Sequence, residues 1–257
     1  MIHIKAPWEI AMMRSAGKLL AEVKALVREQ VVVGVTTGDL DRICEEEIRK
    51  RKSVPAFKGY EVGGNVFPAS LCASPNEQVV HGIPDDRPLE AGDLISLDFG
   101  LIYGGYHADS AFTVVLGDAP EPVSRLLDVT QKSLYEAIAL ARVGKRVGDL
   151  GNRVQVLCES QGFGVVRDYV GHGIGRMLHE EPAVPNFGKK GTGVPLKPGM
   201  CIAIEPMVTL GTYKTRTLGD GWTVVTADGS LAAHFEQTVL ITEGEPEVLT
   251  SLDGGLT

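Results

Sequence analysis

Four short segments recur in the same order in the two halves of this chain, and that repeat restricts the available folds more than any other feature. VGVTTGDL at 33–40 matches VGKRVGDL at 143–150, and LEAGDLISLD at 89–98 parallels LKPGMCIAIE at 196–205. His81-Gly82-Ile83 echoes His172-Gly173-Ile174, and the strand-like run starting at Asp109 parallels the one starting at Glu236. Four matches in one order argue for duplication rather than chance. The local signals agree. Residues 7–29 read as an amphipathic helix, with Ile10, Met13, Gly17, Leu20 and Val23 on one face and Pro7 near its start. A second helix opens at Gly38-Asp39-Leu40 and runs to about Lys52. Residues 54–83, punctuated by Pro55, Gly59, Gly63-Gly64, Pro68 and Pro75, read as irregular. Strands follow at about 93–103 and 108–116. After a break at Pro120 and Pro122, helices are expected at about 123–141 and 147–161, and then strands and loops. Each half thus reads helix–helix–strands. The expectation is an α+β fold of two pseudo-twofold halves, about 8–118 and 122–245, sharing one core in a single domain over 1–257.

The repeat also pairs acidic residues. Asp98 and Asp109 in the first half correspond to Glu205 and Glu236 in the second, and a site on the pseudo-axis receives two from each. Each stands in or beside an apolar run: LISLDFGLIYGG, YHADSAFTVVLG, MCIAIEPMVTL and AAHFEQTVLIT. An ionisable group in an apolar strand is costly unless it is paired or binds a metal. Four converging carboxylates with no cation between them repel one another. Two divalent ions cancel that charge, and with His172 as a fifth candidate ligand the pattern points to a dinuclear hydrolytic centre. Carboxylates with one imidazole suit Mn, Fe(II), Co or Zn.

The rest of the sequence narrows the alternatives. The formal net charge of -8 argues against nucleic-acid backbone binding. The densest basic stretch, Arg49–Lys52, follows Glu45-Glu46-Glu47 and reads as a solvated helix end. Cys44, Cys72, Cys158 and Cys201 form no CxxC pair, so free thiols in a reducing compartment are expected. The start MIHIKAPWEIAMMR lacks the pattern of a signal peptide, and no run of about 18 apolar residues could span a membrane. The expectation is a cytoplasmic protein. G-x-S-x-G, the phosphate-loop motif and HExxH are all absent. His81, His172 and His179 sit in glycine-rich, charged loops; one suffices as a ligand, and the others can donate hydrogen bonds to a substrate carbonyl. His3, His107 and His234 lack such surroundings and read as structural.

Asp98 and Asp109, His172, Glu205 and Glu236, with the flanks VVHGIPDD, GHGIGRMLHEEP and IEPM, resemble the five metal ligands of the methionine aminopeptidase family. The resemblance covers nearly the whole chain and points to the short, bacterial-like type I form. It implies the pita-bread fold and removal of the initiator methionine from nascent chains by two divalent ions (Co, Mn, Fe(II), Zn or Ni). It implies that Asp98 chelates one ion, that Asp109 and Glu236 bridge both, and that His172 and Glu205 complete the other. A bridging hydroxide then attacks the scissile carbonyl and Glu205 shuttles the proton. His179 is implied at the substrate carbonyl oxygen and His81 at the scissile amide. Phe67, Cys72, Leu178 and Trp222, with Met207 nearby, are implied to line the methionine pocket, and a polarizable apolar lining suits a thioether. A narrow site beyond the scissile bond admits only a small second residue; by that rule Met1-Ile2 keeps its own methionine. The implied substrates are peptides with N-terminal Met, and a ribosome contact fits a nascent-chain enzyme; no nucleic-acid or membrane partner is expected, and a monomer is the default because no exposed apolar stripe is evident. The chain departs from the family pattern in three places. Of two tyrosines common before Cys72, the second is Phe67 and Gly64 stands for the first. Leu178 replaces an aromatic, and Gly100 replaces a common threonine. Proline-specific relatives of the same fold, aminopeptidase P and prolidase, are the alternative enzyme reading, and usually carry an extra N-terminal domain. A silent partner-binding protein is the alternative of another class; it would be expected to lose ligands, and all five are present.

Overall fold

Among the described residues four helices form two pairs: α1 (Pro7–Glu29) with α2 (Thr37–Lys50), and α3 (Glu121–Ala139) with α4 (Val147–Ser160). The computed structural model describes residues 2–252, so Met1 and residues 253–257 lie outside the described part of the expected 1–257 domain. The helices stand where their periodicity predicts. α1 buries Met13, Gly17, Leu20 and Val23 as expected, and leaves Ile10 half-buried. Pro120 and Pro122 flank the start of α3, where a missing N–H costs nothing because the first turn has no partner for it. The basic stretch closing α2 is a solvated end: Arg49 bonds Glu45 at 2.7 Å and Lys50 bonds Glu47 at 2.6 Å.

The repeat in letters is also a repeat in hydrogen bonds. Thr36 at the start of α2 bridges Pro88, and Arg146 at the start of α4 bridges Pro195. Leu89 N donates to Val35 O at 2.8 Å, and Leu196 N to Lys145 O at 2.9 Å. Asp39 and Asp149 each turn a carboxylate back to the backbone N–H three residues earlier, satisfying a donor that the helix leaves free. Gly34 and Gly144 begin both copies of this turn with φ of 94° and 86°.

The strands Leu94–Tyr103 and Tyr106–Val115 form a long antiparallel hairpin. Leu71–Pro75 pairs on the other edge of Leu94–Tyr103, with Cys72 opposite Asp98. That strand lies within 54–83, which the sequence marked as irregular. Leu71 to Ser74 are buried on both faces, so no alternation betrays them, and Pro75 is accommodated at the strand end. Short pairs at Val54–Pro55, Glu61–Val62 with Asn65–Val66, and Gln78–Val80 occupy the same stretch. In the second half, Cys201–Ile204 pairs with Gln237–Leu240 along one edge and meets Gly171–Gly173 along the other. The halves join where Ala111 and Glu236 exchange backbone bonds, at 3.3 and 3.0 Å. One large apolar cluster fills the space between helices and sheets. A second, including Phe57, Phe67, Cys72 and Leu178, borders the functional cavity.

Candidate metal centre and substrate cavity

Strand register alone aligns the first two carboxylates. Asp98 stands opposite Ala111, so Asp109, two residues earlier, shares its face as a diagonal neighbour. Cys72 lies opposite Asp98 on the other side and shares that face too. Glu236 arrives at the joint between the halves, opposite Ala111, and Glu205 follows the strand Cys201–Ile204 beside it. His172 comes from Gly171–Gly173, and its two glycines are required. A Cβ on Gly171 would meet Ala203 O at 2.4 Å, and one on Gly173 would meet Glu181 O at 2.3 Å. Only glycine lets those backbones approach so closely around the histidine.

The cluster is built for cations. Ligand atoms of Asp109, His172 and Glu236 lie within 4.8 Å of one another, and all three residues are buried. His172 Nε2 is 3.5 Å from Glu205 Oε1 and 3.8 Å from Asp109 Oδ2. Its Nδ1 lies 2.9 Å from Gly173 O, which holds the proton on Nδ1 and leaves Nε2 free as a ligand. Asp98 Oδ1, Asp109 Oδ1 and Glu236 Oε1 are buried without a hydrogen-bond partner. Buried carboxylate oxygens without partners are destabilising, and a divalent ion among them satisfies them. With no ion, burial pushes Asp98 up to about 7 and, with the charge of Asp98, Glu205 up to about 8. Burial and the neighbouring carboxylates raise Asp109 and Glu236 well above the ordinary range. Burial, with His179 nearby, lowers His172 to about 3, so it is neutral as a ligand must be. The residues present fit a divalent-metal centre.

All twelve site residues named from the sequence face one cavity of about 280 Å³: the five carboxylate and imidazole candidates, His81 and His179, and Phe67, Cys72, Leu178, Met207 and Trp222. Phe67 meets Trp222 edge-on at 5.2 Å. His179 lies edge-on to His172 at 4.4 Å. His81 has φ of 59°, a left-handed backbone rare outside glycine, and stands edge-on to Tyr169 at 5.6 Å and Trp222 at 6.3 Å. Such strain in a non-glycine residue gathers at functional sites. Burial first, and His179 second, lowers it to about 4.

Two sequence readings need correction. The first tyrosine is not replaced by Gly64. Tyr60 lines the cavity and its hydroxyl lies 2.7 Å from His179 Nδ1, whereas Gly64 sits in an exposed turn. Residues 61–66 fold into a hairpin between Tyr60 and Phe67, and counting back from Cys72 passes over it. His234, read as structural, lines the cavity: it is 2% exposed, its Nε2 has no hydrogen-bond partner, and that atom is 3.8 Å from Glu205 Oε2. The signal was present, since residues two apart in extended chain share a face and His234 precedes Glu236 by two. Gly100 is a packing requirement: a Cβ there would meet Phe57 Cε1 at 2.5 Å, and Phe57 is itself a cavity wall. His107 and His3 lie elsewhere, beside Gly175 O and Glu9.

A family model for metallopeptidase family M24 matches residues 11–243. The chain belongs to that family. It is 50% identical over 250 residues to methionine aminopeptidase of Clostridium perfringens, covering 97% of this chain and 99% of the relative. The crystal structure of methionine aminopeptidase from Thermotoga maritima superposes with a TM-score of 0.94 at 46% identity, covering 98% of this chain and 100% of that one. Prolidase from Pyrococcus furiosus shares the fold, with a TM-score of 0.78 at 23% identity over 96% of this chain and 65% of that one. This M24 chain therefore has the α+β pita-bread fold, and M24 membership makes it a metallopeptidase. Among the described residues no helix is long and apolar enough to cross a membrane.

Proposed function

We propose that this chain is a methionine aminopeptidase that removes the N-terminal methionine from peptides and nascent proteins whose second residue is small. The observation that carries the reading is the cluster of buried, partnerless carboxylate oxygens around His172, set beside an apolar cavity wall in a chain 50% identical to an enzyme of that name. Asp98, Asp109, His172, Glu205 and Glu236 would hold two divalent ions, Mn, Fe(II), Co, Zn or Ni. When bound, the ions supply Lewis acidity toward water and the scissile carbonyl.

The chain's own groups supply the rest. Phe67, Cys72, Leu178, Met207 and Trp222 take the methionine side chain and exclude water from it. His179 accepts a hydrogen bond from the Tyr60 hydroxyl at Nδ1, which keeps the imidazole's own proton on Nε2 to donate to the carbonyl oxygen as charge develops. His81 holds the scissile amide and its leaving nitrogen, and Glu205 carries a proton to that nitrogen at its carboxylate. The two halves, about 8–118 and 122–245, act as one catalytic domain. We read the enzyme as a cytoplasmic monomer that meets nascent chains at the ribosome; the four free, buried cysteines support a reducing compartment.

The test is metal-stripped protein given Mn(II) or Co(II) and a mixture of Met-Ala-Ser, Met-Leu-Ser and Ala-Pro-Ser, followed by mass spectrometry. Metal-dependent loss of methionine from Met-Ala-Ser alone is expected. Cleavage of Ala-Pro-Ser would move the protein to the proline-specific branch, and no cleavage with metal bound would refute both enzyme readings.

A further inference from the structure

The backbone between Tyr60 and Phe67 rises over the cavity as a hairpin. Glu61 pairs with Val66 and Val62 with Asn65, around Gly63 and Gly64 with φ of 58° and 87°. Two consecutive left-handed residues are what a two-residue hairpin turn demands. Directly opposed residues share a face, so Val62 and Asn65 form one face and Glu61 and Val66 the other. The first face is turned toward the site. Val62 lines the cavity, and a Cβ on Gly221 would meet Asn65 Nδ2 at 2.6 Å, beside the cavity-lining Trp222. The hairpin therefore spans the cleft from Tyr60, bonded to His179, to the loop carrying Trp222.

Most of the cavity lining is buried or half-buried. Val62, at 55% exposure, and His179 are its exposed members, so they mark the mouth. At about 280 Å³ the cavity is at the small end of ligand sites, which run from roughly 300 to 1,000 Å³. It has room for one long side chain and little beyond the scissile bond. A peptide entering by its amino end has reached the mouth by its third residue. There it meets a valine side chain, on a hairpin face that carries no charge.

Resting on the aminopeptidase reading above, we infer that Val62 forms a subsite for the third residue of the substrate and favours an apolar side chain there. The small second residue is selected inside the cavity, and the third is selected at the rim by burial of apolar surface against Val62. Because this contact forms on binding and lies away from the scissile bond, it acts through KM and leaves kcat unchanged.

The test compares Met-Ala-Leu-Ser with Met-Ala-Ser-Ser on the Mn(II)-loaded wild type, Val62→Ser and Val66→Ser. The wild type should favour leucine by about fivefold in kcat/KM, the size that partial burial of one apolar side chain allows. Val62→Ser should lose that preference through KM. Val66→Ser, on the outward face at 54% exposure, should keep it. Equal rates on both peptides by the wild type, or an unchanged preference in Val62→Ser, would overturn the subsite and leave the aminopeptidase reading intact. Equal loss in both variants would assign the effect to hairpin stability and also overturn it. Cleavage of neither peptide by the wild type would overturn the aminopeptidase reading and the subsite with it.

Discussion

Metal-stripped protein should lose stability as the pH rises from 7 to 8, and Glu205→Gln should remove part of that loss. Burial pushes Glu205 up to about 8 and Asp98 up to about 7 when no cation is present, and raises Asp109 and Glu236 further. In the unfolded chain all four titrate near 4. Between pH 7 and 8 the folded state therefore retains protons that the unfolded state has released. Folding takes up protons in this window, so stability falls by about 1.4 kcal/mol per pH unit for each proton retained. Glu205 is half deprotonated by pH 8, and its share of the loss from pH 7 is about 1 kcal/mol. For a chain of this length that is roughly 3 °C in Tm. The window is set by the histidines. Burial lowers His81 to about 4 and His172 and His234 to about 3. Those shifts favour the folded state increasingly as the pH climbs to about 6.5, and contribute no further slope above it. The opposing slopes overlap below that point. Above pH 7 the histidines drop out, Lys24, lowered by burial to about 8, adds a smaller opposing slope, and the four cysteines, raised by burial, add to the fall, so the comparison with Glu205→Gln isolates the carboxylate's share. Thermal melts of EDTA-treated wild type and Glu205→Gln at pH 7.0, 7.5 and 8.0, with and without Mn(II), provide the assay. The wild-type Tm should fall, the variant's should fall less, and saturating Mn(II) should flatten the profile. Metal at a thousand times its Kd should also add about 4 kcal/mol. A flat or rising profile for metal-free wild type, or identical slopes in the two proteins, would refute the reasoning.

Tyr60→Phe should lower kcat/KM about tenfold with an unchanged melting curve, because only the bond orienting His179 is lost; steady-state kinetics beside a thermal melt checks both halves of that statement. Gly100→Thr should destabilise the protein by about 1–3 kcal/mol through collision with Phe57, and Phe57→Ala in the same chain should recover part of the loss. Urea unfolding of the single and double variants measures it. His81→Asn should leave the fold intact, since asparagine tolerates the left-handed backbone, while kcat falls about 100-fold. A kcat within twofold of wild type would remove His81 from the reaction.

The sequence alone determined the helices, the two-half plan and the candidate ligands, because each is a local signal. Helical periodicity needs only a few turns of chain, and acidic residues inside apolar runs stand out wherever the chain goes. The repeat then carried pairing information across the molecule: knowing that Asp98 parallels Glu205 is enough to expect them in one place. The strand Leu71–Pro75 escaped because burial on both faces erases alternation. Tyr60 and His179, 119 residues apart, meet only because a hairpin shifts the chain and two loops arrive at the same rim. His234 became a cavity wall through the pairing of Ala232–His234 with Met207–Thr209, which turns it toward Glu205. Gly100 became a necessity only once Phe57 had packed over it. Composition and spacing decide which groups a chain can bring to a site. Register, loop length and close packing decide which of them face one another, and those are properties of contacts between distant segments that neither segment encodes by itself.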